Sequence, residues 1–171
     1  MVAFLQLIVF ILLQIVLLPV AIIGIVPAVY KEMVVSKRLG VSFTAGQVIQ
    51  AKWLMHYFGT RKDESSVAFI KHFPIESHVG MMLTMSAGLL ANKLCGFRLK
   101  NVRRIGPKNT GLTTFLPERF YENGRLAKKH FNRVDQVVLL GGGFDLSMIT
   151  LAKGSKTVVF ELDMPATQQL K

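Results

Sequence analysis

The spacing of hydrophobic and polar positions divides the chain into distinct stretches. From Met1 to Tyr30 the apolar residues are nearly continuous. This stretch has no Lys, Arg, Asp or Glu, and its only clearly polar side chains are Gln6 and Gln14. Such a run exceeds the roughly 20 residues that cross a bilayer. Pro19 and Pro27 would kink or end a helix here, and both are tolerated in membrane helices. A signal peptide fits less well, because no basic segment precedes the run and no small-x-small site precedes Lys31. Residues 1–30 are therefore expected to form a transmembrane anchor.

Beyond the anchor the pattern becomes periodic. Val48, Ile49, Lys52, Trp53 and Tyr57 recur at helical spacing, which predicts a helix over 42–57 capped by Ser42 or Thr44. Gly59 to Ser66 is polar and reads as a loop. Val67 to Phe73 is a short apolar segment ended by Pro74. Val79 to Cys95 is apolar and rich in methionine, but Ser86, Gly88, Asn92 and Lys93 interrupt it. It reads as a helix buried in the soluble part or lying on a membrane surface. Thr110 to Thr114 is a polar loop, and Gly124 to Phe131 is helix-like. His56, His72, His78 and His130 form no plausible ligand set and read as surface or capping residues.

The last stretch changes period. Gln136-Val137-Val138-Leu139-Leu140 is a β-branched apolar run closed by Gly141-Gly142-Gly143. Leu146 to Ala152 has helical composition, Lys153 to Lys156 breaks it, and Thr157 to Leu162 is a second apolar run ending at Asp163. Strand, glycine turn, helix, strand is a βαβ unit with parallel strands. Glycines let the backbone approach a ligand, and a helix start offers free N–H groups. An acid about 20 positions after the glycines is placed to bind ribose hydroxyls, and Asp163 has that separation from Gly143. By alternation along the strand, Glu161 shares its face. The unit should bind a nucleoside-containing cofactor. A dinucleotide fits poorly, because Leu146 fills the third glycine place of G-x-G-x-x-G and no Lys or Arg lies in the turn. Asp145 at the mouth of the helix suits an N-cap or a cationic ligand group.

QVVLLGGGFD followed by VFELDMPATQQLK resembles the cofactor-binding half of the S-adenosylmethionine-dependent methyltransferases of the leucine carboxyl methyltransferase type. The matching residues are Gln136, Val137, Val138, Leu140, Gly141, Gly143, Asp145, Phe160, Glu161, Asp163, Pro165 and Lys171. Arg119 is similar to an arginine that contacts the cofactor carboxylate in that family. Ser42-Phe43-Thr44-Ala45 resembles the family's S-x-T-A, and Lys52 just after it stands where a second carboxylate contact would. The resemblance implies S-adenosylmethionine as cofactor, held by Arg119, Gly141, Gly142, Gly143, Asp145, Glu161 and Asp163. It also implies methyl transfer to the oxygen of a carboxylate or hydroxyl. Two departures stand out. The family's D-T-R is Asp145-Leu146-Ser147 here, and the strands that carry its adenine contacts and substrate pocket would follow Lys171. The expected fold is α/β: a transmembrane helix (1–30), a helical basic region (31–109) and the truncated first βαβ of a Rossmann-like class I methyltransferase sheet (110–171).

Composition changes the picture in two places. Mean hydropathy is +0.41, raised by the first thirty residues, and the net charge of +11 falls entirely beyond them. Lys31, Lys37, Arg38 and Lys52 follow the apolar run and nothing basic precedes it, so the positive-inside rule predicts a single pass with the C-terminal region cytosolic. The basic cluster Arg98, Lys100, Arg103, Arg104 and Lys108 has few interleaved aromatics. Anionic lipid headgroups are its expected partner, and no nucleic acid is expected. One cysteine, Cys95, excludes an internal disulfide, and no metal site is expected.

Two functions from different classes remain open on sequence grounds. One is a membrane-anchored methyltransferase whose acceptor and catalytic residues are unknown. The other is an inactive fragment or membrane-bound interaction protein of the same family. Two strands leave edges and a face uncovered, so a partner or a second copy would be needed to complete the sheet.

Overall fold

A computed structural model describes residues 1–102, 111 and 114–171. Arg103, Arg104 and Lys108 of the basic cluster, and part of the 110–114 loop, lie outside the described residues. The apolar N-terminus forms α1 (Val2–Val16) and α2 (Leu18–Val29), with Leu17 between them at φ −93°, ψ 7°. The break has a local cause. Pro19 has no N–H for the carbonyl four residues back, and its ring crowds that carbonyl. Pro19 itself is accommodated in the first turn of α2. Pro27 lies inside α2, and the helix then widens into a π-helical turn, Tyr30–Val35, before the short α3 (Ser36–Arg38). Leu18–Arg38 is long and apolar enough to cross a membrane by length and composition, with mean hydropathy 1.8.

The predicted helices form, with shifted ends. α4 (Phe43–Tyr57) starts after Ser42, but neither Ser42 nor Thr44 caps it. Their hydroxyls hydrogen-bond each other at 2.7 Å instead. α5 (Glu64–His72) begins inside the stretch read as a loop, because the Asp63 carboxylate accepts from the Ser66 N–H at 3.0 Å and caps it. The methionine-rich stretch splits into α6 (His78–Thr84) and α7 (Ser86–Cys95), capped at its start by Ser77 and ended by Gly96 at φ 72°. α8 (Phe115–His130) starts nine residues before Gly124, since Pro117 falls in its first turn and does not stop it.

β1 (Gln136–Leu140) and β2 (Val158–Leu162) pair in parallel, Gln136 opposite Val158 and Leu140 opposite Leu162. α9 (Ser147–Ala152) connects them and α10 (Pro165–Leu170) follows. Among the described residues the sheet is limited to these two strands. The fold is thus mixed helical with a small parallel sheet.

Packing joins these parts around a single core. α6 lies on α2 and α7 on α1, so the second broken helix runs antiparallel to the first. Glycines permit the close crossing: a Cβ on Gly24 would sit 2.7 Å from the Gly80 carbonyl oxygen. Val41, Ile49, Trp53, Ile70, Phe73 and Ile75 form the centre, and Phe144 from the glycine turn joins them fully buried. Its ring centroid lies 4.4 Å from that of Phe73. Two histidines serve this framework as acceptors: His78 Nδ1 takes the Trp53 indole N–H at 3.0 Å, and His56 Nδ1 takes the Asp63 N–H at 3.0 Å.

Glu76 is buried at the junction of α4 and the π-helical turn. Gln50 donates to its Oε2 at 2.8 Å, and its Oε1 has no hydrogen-bond partner among the described residues. Burial pushes the carboxyl up to about 7, and Glu32 adds to the rise against Gln50 and Lys31. Unfolded, the group ionises near pH ~4.3, so its burial opposes folding increasingly as pH rises from there to about 7. Glu76→Gln should abolish that slope and stabilise the chain by about 3 kcal/mol at pH ~8. Urea unfolding at acidic and alkaline pH measures it.

Candidate functional site

The glycine turn is held by local chemistry that needs these residue types. Gly141 sits at φ 61°, a conformation that side-chain-bearing residues rarely adopt, and a Cβ there would meet only open space. Gly142 is required for a different reason: a Cβ on it would lie 2.7 Å from Glu161 Oε1. Gly141 N–H continues the ladder to the Leu162 carbonyl at 2.8 Å. Gly143 N–H donates to Asp163 Oδ2 at 2.6 Å, and Met164 N–H donates to Asp163 Oδ1 at 2.7 Å. Asp163 therefore ties the end of β2 to the turn after β1. Each of its oxygens retains a lone pair for a further donor, as ribose hydroxyls would supply.

Lys171 closes the same turn from the other side. Its Nζ donates to the carbonyls of Gly143 (2.9 Å) and Asp145 (3.0 Å) and to Glu161 Oε1 (2.6 Å). Glu161 does share a face with Asp163, as strand alternation requires, and in this structure its charge is met by Lys171.

Asp145 meets a cation from the helical region. Lys52 on α4 is 1% exposed, and its ammonium pairs with Asp145 Oδ1, with Ser147 Oγ at 2.7 Å and with Asp63 Oδ2 at 3.7 Å. Ser147 N–H also donates to Asp145 Oδ1 at 2.7 Å, so the carboxylate meets the first N–H of α9 from one residue before the N-cap, which is Leu146 and not Asp145. Burial alone would raise the Asp145 pKa, but the Lys52 charge and the hydrogen bonds from Lys52 and Ser147 hold it below the usual carboxylate range. Asp63 shows the same balance: burial raises it, and the Ser66 N–H, Lys52 and Ser65 bring it lower overall.

The upstream S-x-T-A also arrives here. A Cβ built on Gly143 would lie 3.8 Å from that of Ala45, so the start of α4 abuts the glycine turn. A cleft of about 400 Å³ opens beside α9, lined by Arg61, Asp63, Ser65, Lys128, Ser147 and Thr150 among others. Its size is that of a small-molecule site, and it carries cations of both α8 and the α4–α5 loop. Arg119 is exposed on α8, and among the described residues no hydrogen bond or ion pair links it to the turn. Sequence reasoning placed Lys52 by position alone. It missed Asp63 and Phe144, for which the only signals were a capping pattern and an aromatic beside the glycines.

Residues 92–171, just under half of the chain, match the family described as leucine carboxyl methyltransferase. The match covers Arg119, the glycine turn, Asp145, Glu161, Asp163 and Lys171, and supports the resemblance to S-adenosylmethionine-dependent methyltransferases of that type. It leaves Lys52 and the S-x-T-A outside. No curated protein and no solved structure matches the chain.

Removing Lys52 should strand two partly buried carboxylates. Lys52→Met is expected to cost about 3–5 kcal/mol. The pH dependence should also change sign. With Lys52 present, the depressed Asp145 and Asp63 stabilise the fold above about pH 4 and lose this as pH falls. In the variant both pKa values rise, so mild acidification restores stability. Denaturant midpoints across that range distinguish the two.

Proposed function

We propose that this chain is a membrane-attached S-adenosylmethionine-dependent O-methyltransferase. The observation that carries the reading is the glycine turn bound to Asp163 at the neighbouring strand end, within residues that match a methyltransferase family. Asp163 holds the ribose hydroxyls. The open space above Gly141 admits the cofactor backbone. The methionine amino group, a cation, is drawn to the Asp145 carboxylate, where it shares the charge with Lys52, and the methionine carboxylate is drawn to Lys52 and the cationic cleft wall. When bound, S-adenosylmethionine supplies an activated methyl group. The chain's own residues position it and keep the methionine end paired and dry. The acceptor is a carboxylate or hydroxyl, by resemblance to the family. Attachment rests on the apolar α1–α2 and on Leu18–Arg38, which has the length and composition of a span.

A second reading has an observation of its own. The outer face of the sheet presents Val138, Leu140, Phe160 and Leu162 to solvent, Leu140 at 74% exposure. A partner or a second copy seated on this face would make the chain a membrane-bound interaction protein and not an enzyme.

Equilibrium binding of S-adenosylmethionine to the detergent-solubilised chain tests the first reading. Asp163→Ala should weaken binding roughly 10- to 100-fold, the worth of hydrogen bonds to a charged group. Absence of binding to a chain shown to be folded would contradict it.

A further inference from the structure

The N-terminal helix is apolar on every side, yet its sides are not equivalent in the structure. Gln6, Val9, Phe10, Leu13, Gln14, Val20, Ala21 and Gly24 are covered or partly covered, at helical spacing. They face α6 and α7. Gln6 Nε2 donates to the Cys95 carbonyl at 2.7 Å, and the Phe10 ring stacks on Phe97 with centroids 4.4 Å apart. The opposite side is left open along the whole length of α1 and α2. It is entirely apolar, with Phe4, Ile15, Val16, Ile23 and Val26 each at least 65% exposed.

We propose that α1–α2 lies in the plane of a membrane leaflet and does not cross the bilayer, its covered side docked on α6–α7 and its open side immersed in lipid. This refines the membrane attachment proposed above and rests on it. Three observations favour it over a single pass.

The first is what the helix carries with it. α7 packs on α1 and α6 on α2, while Phe58 at the end of α4 lies 3.2 Å from a Cβ built on Gly88 in α7. A helix that spans with this packing intact would draw α6, α7 and the flank of α4 to bilayer depth. The buried Lys52 and its partly buried partners Asp63 and Asp145 lie on and around α4, and charge at that depth is costly.

The second is length. α1 and α2 run from Val2 to Val29. At 1.5 Å per residue that is about 42 Å of apolar helix, broken only at Leu17, against a hydrocarbon core of about 30 Å.

The third is charge. Lys37 and Arg38 are exposed at one end of the helix. Lys93, Arg98 and Lys100 are exposed beside the other end, where α7 finishes against α1. Spanning with the packing kept would put these clusters on opposite sides of the membrane, against the positive-inside bias. Lying flat puts both at one anionic headgroup layer, where each cation adds to attachment. An in-plane helix normally needs a polar side facing water. Here the protein itself covers that side, which explains why a helix apolar all round can lie flat.

The test uses the full chain with Cys95→Ser, made in cells and recovered in sealed membrane vesicles. One version carries a single cysteine in a short extension ahead of Met1, and another carries Lys37→Cys. Each is treated with an impermeant maleimide before and after permeabilisation. Lying flat predicts that both sites react from the same side. Reaction of one before and the other only after permeabilisation overturns the in-plane arrangement while leaving attachment intact. Failure of the chain to remain with the vesicles after carbonate washing and detergent-free flotation overturns attachment and the inference together. Ile15→Cys provides the control for a different occupant. If that variant is soluble without lipid or detergent and cross-links between two copies, the open side is a dimer interface and the proposal fails.

Discussion

The site depends on one buried ammonium. Lys52 is almost fully enclosed and is shared by Asp145, Asp63 and Ser147. Burying an unpaired cation is costly enough that the partners must be present for the fold to close. The partners come from two distant parts of the chain: Asp63 from the cap of α5, and Asp145 and Ser147 from the start of α9. The same contact therefore fixes the helical region against the glycine turn and sets the charge at the mouth of the site. Phe144, one residue before Asp145, reinforces it by filling the core beside Phe73. The glycine turn is anchored at both flanks, by Phe144 and Lys52 on one and by Asp163 and Lys171 on the other.

This arrangement assigns different work to the acidic residues around the turn. Asp163 bonds backbone N–H groups and keeps lone pairs outward. Glu161 is met by Lys171, and Asp145 by Lys52. A cationic ligand group approaching Asp145 would find a carboxylate already ionised and shared. Binding there exchanges one partner for another and leaves no bare charge behind.

Much of the C-terminal unit was legible in the sequence. The β-branched runs, the glycines between them and the acid after the second run specify strand, turn and strand, because period-two patterning and positive-φ glycines have few other solutions. The boundaries of β1 were read as they stand. What was not legible depended on long-range contact. Nothing local distinguishes Lys52 from the other polar residues of α4, and its partners lie up to 95 positions away. Arg119 was read from wording alone, and the structure leaves it exposed on α8. The start of α8 was misjudged: only Gly124 to Phe131 was read as helix-like, whereas the helix begins at Phe115 with Pro117 in its first turn. The apolar N-terminus was legible as a stretch long and apolar enough to cross a membrane, but its inequivalent sides emerge only once α6 and α7 are packed on it.

A double-mutant cycle on Lys52 and Asp145 tests most directly whether one ion pair joins the helical region to the glycine turn. Lys52→Met, Asp145→Asn and the double variant would be unfolded by denaturant in the same detergent. The account predicts a coupling energy of about 1–3 kcal/mol, with the double variant more stable than the sum of the single losses implies. Additivity within about 0.5 kcal/mol would contradict it, because the two residues would then be independent and the turn would be held by Phe144 and Asp163 alone.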